Sequence, residues 1–259
     1  MQRKTFTLLT GLAIAAATAA RAAEPVVYGP DGAPTVVQRK LYTMTGRWEL
    51  GVGFNTAFND PLVNHYGGRL GLSYHPNEWF DLGGEVVGHY TALSGLAGQV
   101  REHLLLRATS DTHRPNTGDE LANVAQLRLA GAAVARLAPI YGKFNLAAEV
   151  KIHFQAYGLV GAGGGLFHHE SVNLCGTAGQ SACTNGPYLT SDGFKPVGIV
   201  GVGLRFYFND RFSLSSEIRA WLYPDSYIAG ADLTNPASGT DKGYLGVLMT
   251  FGLGFSTLF

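Results

Sequence analysis

The tract "FHHESVNLCGTAGQSACTN" gathers many of the residue types able to do chemistry. His168, His169, Glu170 and Ser171 set imidazoles and a carboxylate beside a hydroxyl, the materials of a base-activated nucleophile. With His153 upstream, such a set at the rim of a membrane protein would suit lipid or peptide processing. The spacing gives it little support. There is no nucleophile elbow and no separated triad, and a polar loop entry containing ordinary His explains the same residues. Metal binding by "HHE" is also disfavoured, because neighbours on a strand point to opposite faces. "GAGGG", residues 161–165, is not a phosphate loop, since no Gly-Lys-Ser or Gly-Lys-Thr follows. It reads as close strand packing or a bend. No catalytic residue, metal or cofactor is therefore expected. Cys175 and Cys183 flank a short loop rich in Gly, Ser and Thr. Two thiols with no nearby His or further Cys do not make a tetrahedral metal site. In an oxidising compartment they are expected to form a disulfide.

A second set of candidates is made of charges. Arg47, Glu49, Arg69, Asp81, Glu85, Lys151, Arg205, Glu217 and Arg219 all fall on the polar face of stretches whose other face is apolar. They read as a charge network filling an interior, since a buried charge needs a partner whatever its function. A functional gate is the alternative.

Positioning these groups requires extended structure. In "GRWELGVGFNT", Trp48, Leu50, Val52 and Phe54 share one face, with Arg47, Glu49 and Asn55 on the other. The same order recurs in "YGGRLGLSYH", "WFDLGGEVVGHYT", "VGIVGVGLRFYF", "FSLSSEIRAWLY" and the closing "YLGVLMTFGLGFSTLF". Alternation is weaker in "AQLRLAGAAVARL", and "EVKIHFQAYGLVGAGGG" is again extended. Short turns are expected at "HPNE", "APIYGKF" and "FNDRF". Longer polar segments lie between, the first with a short helix around "SGLAGQVREHLLL". This predicts an all-β, antiparallel up-and-down transmembrane β-barrel of about eight strands, with short periplasmic turns and long extracellular loops. Aromatics are expected in two girdles, Tyr74, Phe80, Phe208 and Phe212 by the turns, Phe54, Tyr66, Tyr90 and Tyr223 by the loops. A helical membrane protein would leave the period-two order unexplained.

Composition agrees. Charged residues are 15% of the chain, against roughly 25% in soluble domains. Gly is 35 of 259 residues, about twice the usual share of roughly 7%. Nineteen basic residues balance nineteen acidic ones, so no charged surface points to nucleic acid. Arg3 and Lys4, the apolar "FTLLTGLAIAAATAA" and the small residues of "ARAAEP" read as an export signal. The expected organisation is a cleaved signal peptide over 1–22, a periplasmic segment over 23–44 and a barrel over 45–259. In the last strand Phe255 and Phe259 share the apolar face. They are expected to serve as an assembly signal, and the strand itself to close the barrel against the first.

The stretch "VQRKLYTMTGRWELGVGFNTAFNDPLVNHYGGRLGLSYHPNEWF" resembles a family of myxobacterial outer-membrane β-barrels that includes barrel components of the gliding-motility (adventurous motility) envelope complex. The residues that carry the resemblance are Gly46, Arg47, Glu49 and Leu50, then Asn59 and Asp60, then Tyr74, His75, Glu78 and Trp79. Pro139, Ile140, Tyr141, Gly142 and Lys143 follow in the family's order, before the Gly-rich strand. Where the family has "FD-x-Y", this chain has Phe154, Gln155, Ala156 and Tyr157, so a role for that Asp does not carry over. The resemblance implies an outer membrane location in a Gram-negative bacterium. It also implies a non-enzymatic structural or docking part of an envelope-spanning complex for gliding motility and surface adhesion. The implied partners are outer-membrane lipid and other envelope and motility proteins, with paralogous barrels or surface adhesins among the candidates. An outer-membrane enzyme with a rim site and a small diffusion channel are the alternative functions.

Overall fold

In a computed structural model of the chain, which describes residues 43–100, 124–146, 150–170, 191–229 and 240–259, nearly every described residue belongs to a strand. The eight strands are β1 Arg47–Ala57, β2 Val63–Asn77, β3 Phe80–Leu93, β4 Val124–Leu146, β5 Val150–Glu170, β6 Ser191–Tyr207, β7 Phe212–Ala229 and β8 Thr240–Leu258. Each pairs antiparallel with the next, and β8 returns to β1 to close an up-and-down barrel. At the seam, Trp48 and Phe259 exchange two backbone hydrogen bonds of 2.9 Å. The signal segment 1–22, residues 23–42, Ser171, Cys175 and Cys183 lie outside the described residues. So do the side chains of Lys143 and Lys151.

Period two decides what each wall residue meets. Trp48, Leu50, Val52 and Phe54 of β1, Leu70 and Leu72 of β2, Val200, Val202 and Leu204 of β6 and Phe251, Leu253 and Phe255 of β8 are exposed. Their neighbours Glu49, Ser73, Arg205, Gly252, Gly254 and Ser256 are turned in or buried. So large an uncovered apolar belt around a polar interior is the reverse of a soluble protein and fits a hydrocarbon surround. The barrel is a transmembrane one. Val202 lies mid-belt. Val202→Arg is expected to destabilise the lipid-embedded barrel by about 2–4 kcal/mol, read from its unfolding midpoint in phospholipid vesicles. No loss there would remove the lipid-facing assignment.

One end of the barrel carries the short connections, 78–79, 147–149 and 208–211, and also the start of β1 and the end of β8. The other end carries the connections 58–62, 94–123, 171–190 and 230–239, with a helical turn over 95–100 in the second. The sequence expectation fails at "APIYGKF". These residues are strand, and β4 runs on to pair Leu146 with Val150 of β5. The physical reason is a register shift between Leu137 and Ile140, which takes up Pro139, whose ring nitrogen cannot donate to the ladder. Beyond it the pairing resumes from Ile140 with Ala156 to Leu146 with Val150. β3 stops at the pair Phe80–Leu137 and β6 at His153–Tyr207. The β4–β5 ribbon therefore extends past both neighbours at the turn end. A second bulge, between Leu127 and Leu129, explains the weak alternation of "AQLRLAGAAVARL".

The close-packing reading of "GAGGG" holds. A Cβ on Gly163 would lie 2.0 Å from the Gly131 carbonyl across the β4–β5 pair, so any larger residue would force the strands apart.

Candidate functional site

The interior is the candidate site, and it is filled in layers. At the turn end, a tight turn folds the chain under the barrel before β1 begins. Gly46 has φ 79°, a left-handed conformation that an L side chain rarely adopts. The Arg47 amide donates to the Met44 carbonyl at 3.0 Å across it, and the Gly46 amide donates to the His75 carbonyl at 2.7 Å. Met44 is thereby buried with Tyr207 and Leu258 in the mouth of the lumen. Glu78 secures it, its Oε1 accepting from the Met44 amide at 2.8 Å and the Thr45 hydroxyl at 2.9 Å. Gln155 bridges the same plug, accepting from the Tyr207 hydroxyl at 2.6 Å and donating to the Glu78 carbonyl at 3.0 Å. The residue that departs from the family pattern thus has a structural task of its own. Gly46→Ala should cost about 1–2 kcal/mol of stability through the forced left-handed φ, measurable by urea titration in detergent micelles. An unchanged midpoint would mean the turn is not held.

The middle layer is the charge network. Arg69, Arg136, Arg205 and Arg219 interleave with Glu49, Asp81, Glu85 and Glu217, all nearly shielded from solvent. Glu217 is the hub. It accepts from Arg69, from Arg219 Nε at 2.6 Å and from the Tyr157 hydroxyl at 2.5 Å, with Arg136 Nε at 3.9 Å. Arg136 reaches Asp81 at 3.0 Å and Glu85 at 3.3 Å, and Arg219 also pairs with Glu85. Arg205 lies 3.3 Å from Glu49 and 3.5 Å from Asp81, over the Tyr157 ring. His75 hydrogen-bonds Glu49 at 2.8 Å. Of the nine charges expected on the polar face, seven therefore meet, and the side chain of Lys151 lies outside the described residues. Arg47 does not join them: it is half-exposed at the turn end and donates to the Asp210 carbonyl at 2.6 Å. Being the first residue of β1, it stands beyond the layer that Glu49 enters. Arg136 and Tyr157 are members that sequence reading missed. Arg136 sits just before the bulge that hid the strand's continuation. A cavity of about 40 Å³ among these charges has room for a few waters.

Above the charges, Leu127, Val134, Phe167, Ile199, Trp221 and Tyr223 form an apolar layer. Tyr223 was expected in the outer girdle but points inward, its ring 4.4 Å from Phe167. The cause is parity, since it follows the outward Leu222. The apolar layer and the charges together fill the lumen of the described residues.

The loop-end mouth holds the residues whose chemistry first drew attention, and they diverge. His168 Nδ1 donates to Asp192 at 2.6 Å. That hydrogen bond is the main reason the exposed Asp192 carboxyl lies below its ordinary range. His169 points the other way and is buried; its Nε2 accepts from Lys195 Nζ at 2.8 Å. Lys195 also donates to Asp225 at 2.5 Å, and Tyr244 donates to the other Asp225 oxygen at 3.1 Å. Glu170 accepts from Gln126 at 2.9 Å. His153 is far off at the turn end, against Tyr141. No shared face sets these His beside one substrate position. Among the described residues no group of three or more His, Cys, Asp or Glu converges as a metal site.

The motif residues serve structure. Tyr74 packs its ring 5.1 Å from Trp48 on the outside, and the Trp79 carbonyl accepts from the Ala138 amide at 2.7 Å. The Phe154 ring covers Gly142, filling the space a side chain there would take. Pro139 lies in the register shift.

No protein-family model matches the chain, and no curated protein does. Among solved structures it is similar to the N-terminal β-barrel domain of Pseudomonas aeruginosa OprF, with 12% identity, 83% of this chain and 98% of that one covered, and a TM-score of 0.38. It is similar also to Ail, the attachment invasion locus protein of Yersinia pestis, with 16% identity over 83% of this chain and all of that one, TM-score 0.40. Neisserial surface protein A matches at 10% identity over 82% of this chain and 94% of that one, TM-score 0.33. The strand pairing itself, not these likenesses, fixes the fold.

Proposed function

We propose that the chain is a non-enzymatic integral protein of the Gram-negative outer membrane, exported through a cleaved signal peptide, that serves as a docking part of an envelope-spanning assembly. The observation that carries this reading is the filled lumen. Plug, charge network and apolar layer fill the lumen of the described residues, as side chains do in an eight-stranded barrel, so transport is a poor account of it. Among the described residues, the His at the loop-end mouth diverge and bring no catalytic set together. What remains are surfaces. The β4–β5 ribbon, which carries most of the second family motif, stands past β3 and β6 at the periplasmic end, where an envelope partner can reach it. The process is gliding motility with surface adhesion, and this rests on the sequence resemblance alone. The partners are outer-membrane lipid and other envelope and motility proteins.

Crosslinking in intact envelopes, followed by pull-down, should recover envelope proteins, and a deletion strain should glide poorly. Normal gliding with no co-purified envelope protein would remove the motility reading. Steady single-channel current in planar bilayers would restore the channel. Loss of a lipid- or peptide-processing activity on substituting His168, His169 and Ser171, with assembly intact, would restore the enzyme.

A further inference from the structure

An arginine stands on the outside of the barrel where the wall is otherwise apolar. Leu127 pairs with Phe167 and Leu129 with Leu166, which leaves Arg128 as the extra residue of the β4 bulge. Ala130, Val134 and Arg136 all point inward, so unbroken alternation would send position 128 into the lumen. The bulge turns Arg128 out instead, where it is exposed. Among the described residues it makes no hydrogen bond or ion pair. Asp192, an acid near enough to feel its charge, is engaged by His168.

Beside Arg128 the outer wall is hollowed. Gly68 and Gly88 face each other across β2 and β3. A Cβ added to either would meet nothing closer than 3.8 Å, so their empty side is open space. Two residues further from the loop end, the equivalent outward positions carry Leu70 and Val86. Phe54, Tyr66 and Tyr90 wall the hollow and are exposed, Tyr90 at 74%. With Arg128 they border a shallow depression that is open to the surround. It lies at the loop-side edge of the apolar belt, the depth at which headgroups begin.

An exposed guanidinium at this depth selects a phosphate, which it can grip with two parallel N–H donors. Exposed aromatic rings over a bare backbone floor suit the flat faces of a sugar headgroup. We propose that this hollow binds the phosphorylated sugar headgroup of an outer-leaflet glycolipid, with Arg128 on the phosphate and Tyr66 and Tyr90 against the sugar. The proposal rests on the membrane-embedded reading of the barrel. The test scores insertion first, so that a failure to insert is distinguishable from a failure to bind.

The full chain is reconstituted in phosphatidylcholine nanodiscs, its folded state is checked by gel mobility, and diphosphoryl lipid A is titrated in. The wild type should take it up saturably, and Arg128→Gln should weaken uptake about tenfold, as expected for one charge-assisted contact. Gly88→Leu, which fills the hollow, should do the same; if that variant misfolds, Arg128→Gln decides alone. Dephosphorylated lipid A should not saturate. Equal affinity in wild type and Arg128→Gln, or equal uptake of the dephosphorylated lipid, would overturn the site. Inorganic phosphate binding as tightly as the lipid would make it a soluble-anion site instead. Dimers in the wild type that Arg128→Gln abolishes would make it a contact between copies, and would overturn it too.

Discussion

Glu217→Ala is expected to lower the unfolding free energy by about 3–5 kcal/mol, the usual consequence of removing one partner from a buried charge group. The effect should be large because Glu217 is shared. Arg69, Arg136, Arg219 and the Tyr157 hydroxyl converge on its two oxygens. Its removal leaves three guanidinium groups facing one another, with Glu85 and Asp81 the nearest remaining acids. Glu217→Gln keeps the shape and an acceptor oxygen but loses the charge, so its loss should be smaller. The measurement is the urea midpoint and slope of both variants in phospholipid vesicles. A loss below about 1 kcal/mol for Glu217→Ala would mean the network is solvated and the lumen is wetter than its packing implies.

Trp221→Ala should cost about as much, roughly 3–5 kcal/mol, for a different reason. Trp221 is almost completely buried in the apolar layer, and its indole N–H donates to the Thr250 hydroxyl at 3.3 Å. Truncation loses that apolar burial, opens a cavity in the apolar layer of the lumen and strands the Thr250 hydroxyl. The two variants also separate the layers. Trp221→Ala empties the layer nearer the loop end while leaving the charges paired, so planar bilayers should still record no steady current. Current on Trp221→Ala alone would show that the apolar layer, not the charge network, seals the barrel.

How far the sequence reached depended on parity. Strands β1, β2, β3, β6, β7 and β8 keep unbroken alternation over their membrane spans, and their inward and outward residues were legible from period two. So was the pairing of the last strand with the first, because an apolar outer face and a Gly-rich inner one suit only a closed wall. The two register shifts of β4 made it the weak point. One concealed the ribbon at the turn end and, with it, the place of Arg136. The other turned Arg128 out of the lumen. A bulge costs one residue and leaves no sequence periodicity to find, so neither could be read in advance.

By itself, then, the sequence determined a closed, lipid-facing antiparallel barrel with charges of both signs inside. Alternation along each strand is a local property, and it carries that much. Only the tertiary structure decided which charges meet. Arg69 and Glu217 are 148 residues apart along the chain, and Arg205 and Asp81 are 124 apart. Their contact depends on strand order, stagger and closure, which set who faces whom across the lumen. The same geometry left Arg47 at the rim, gave Glu217 three arginines and folded Met44 under the barrel through Gly46. It also set Arg128 beside two open glycines on the outer wall.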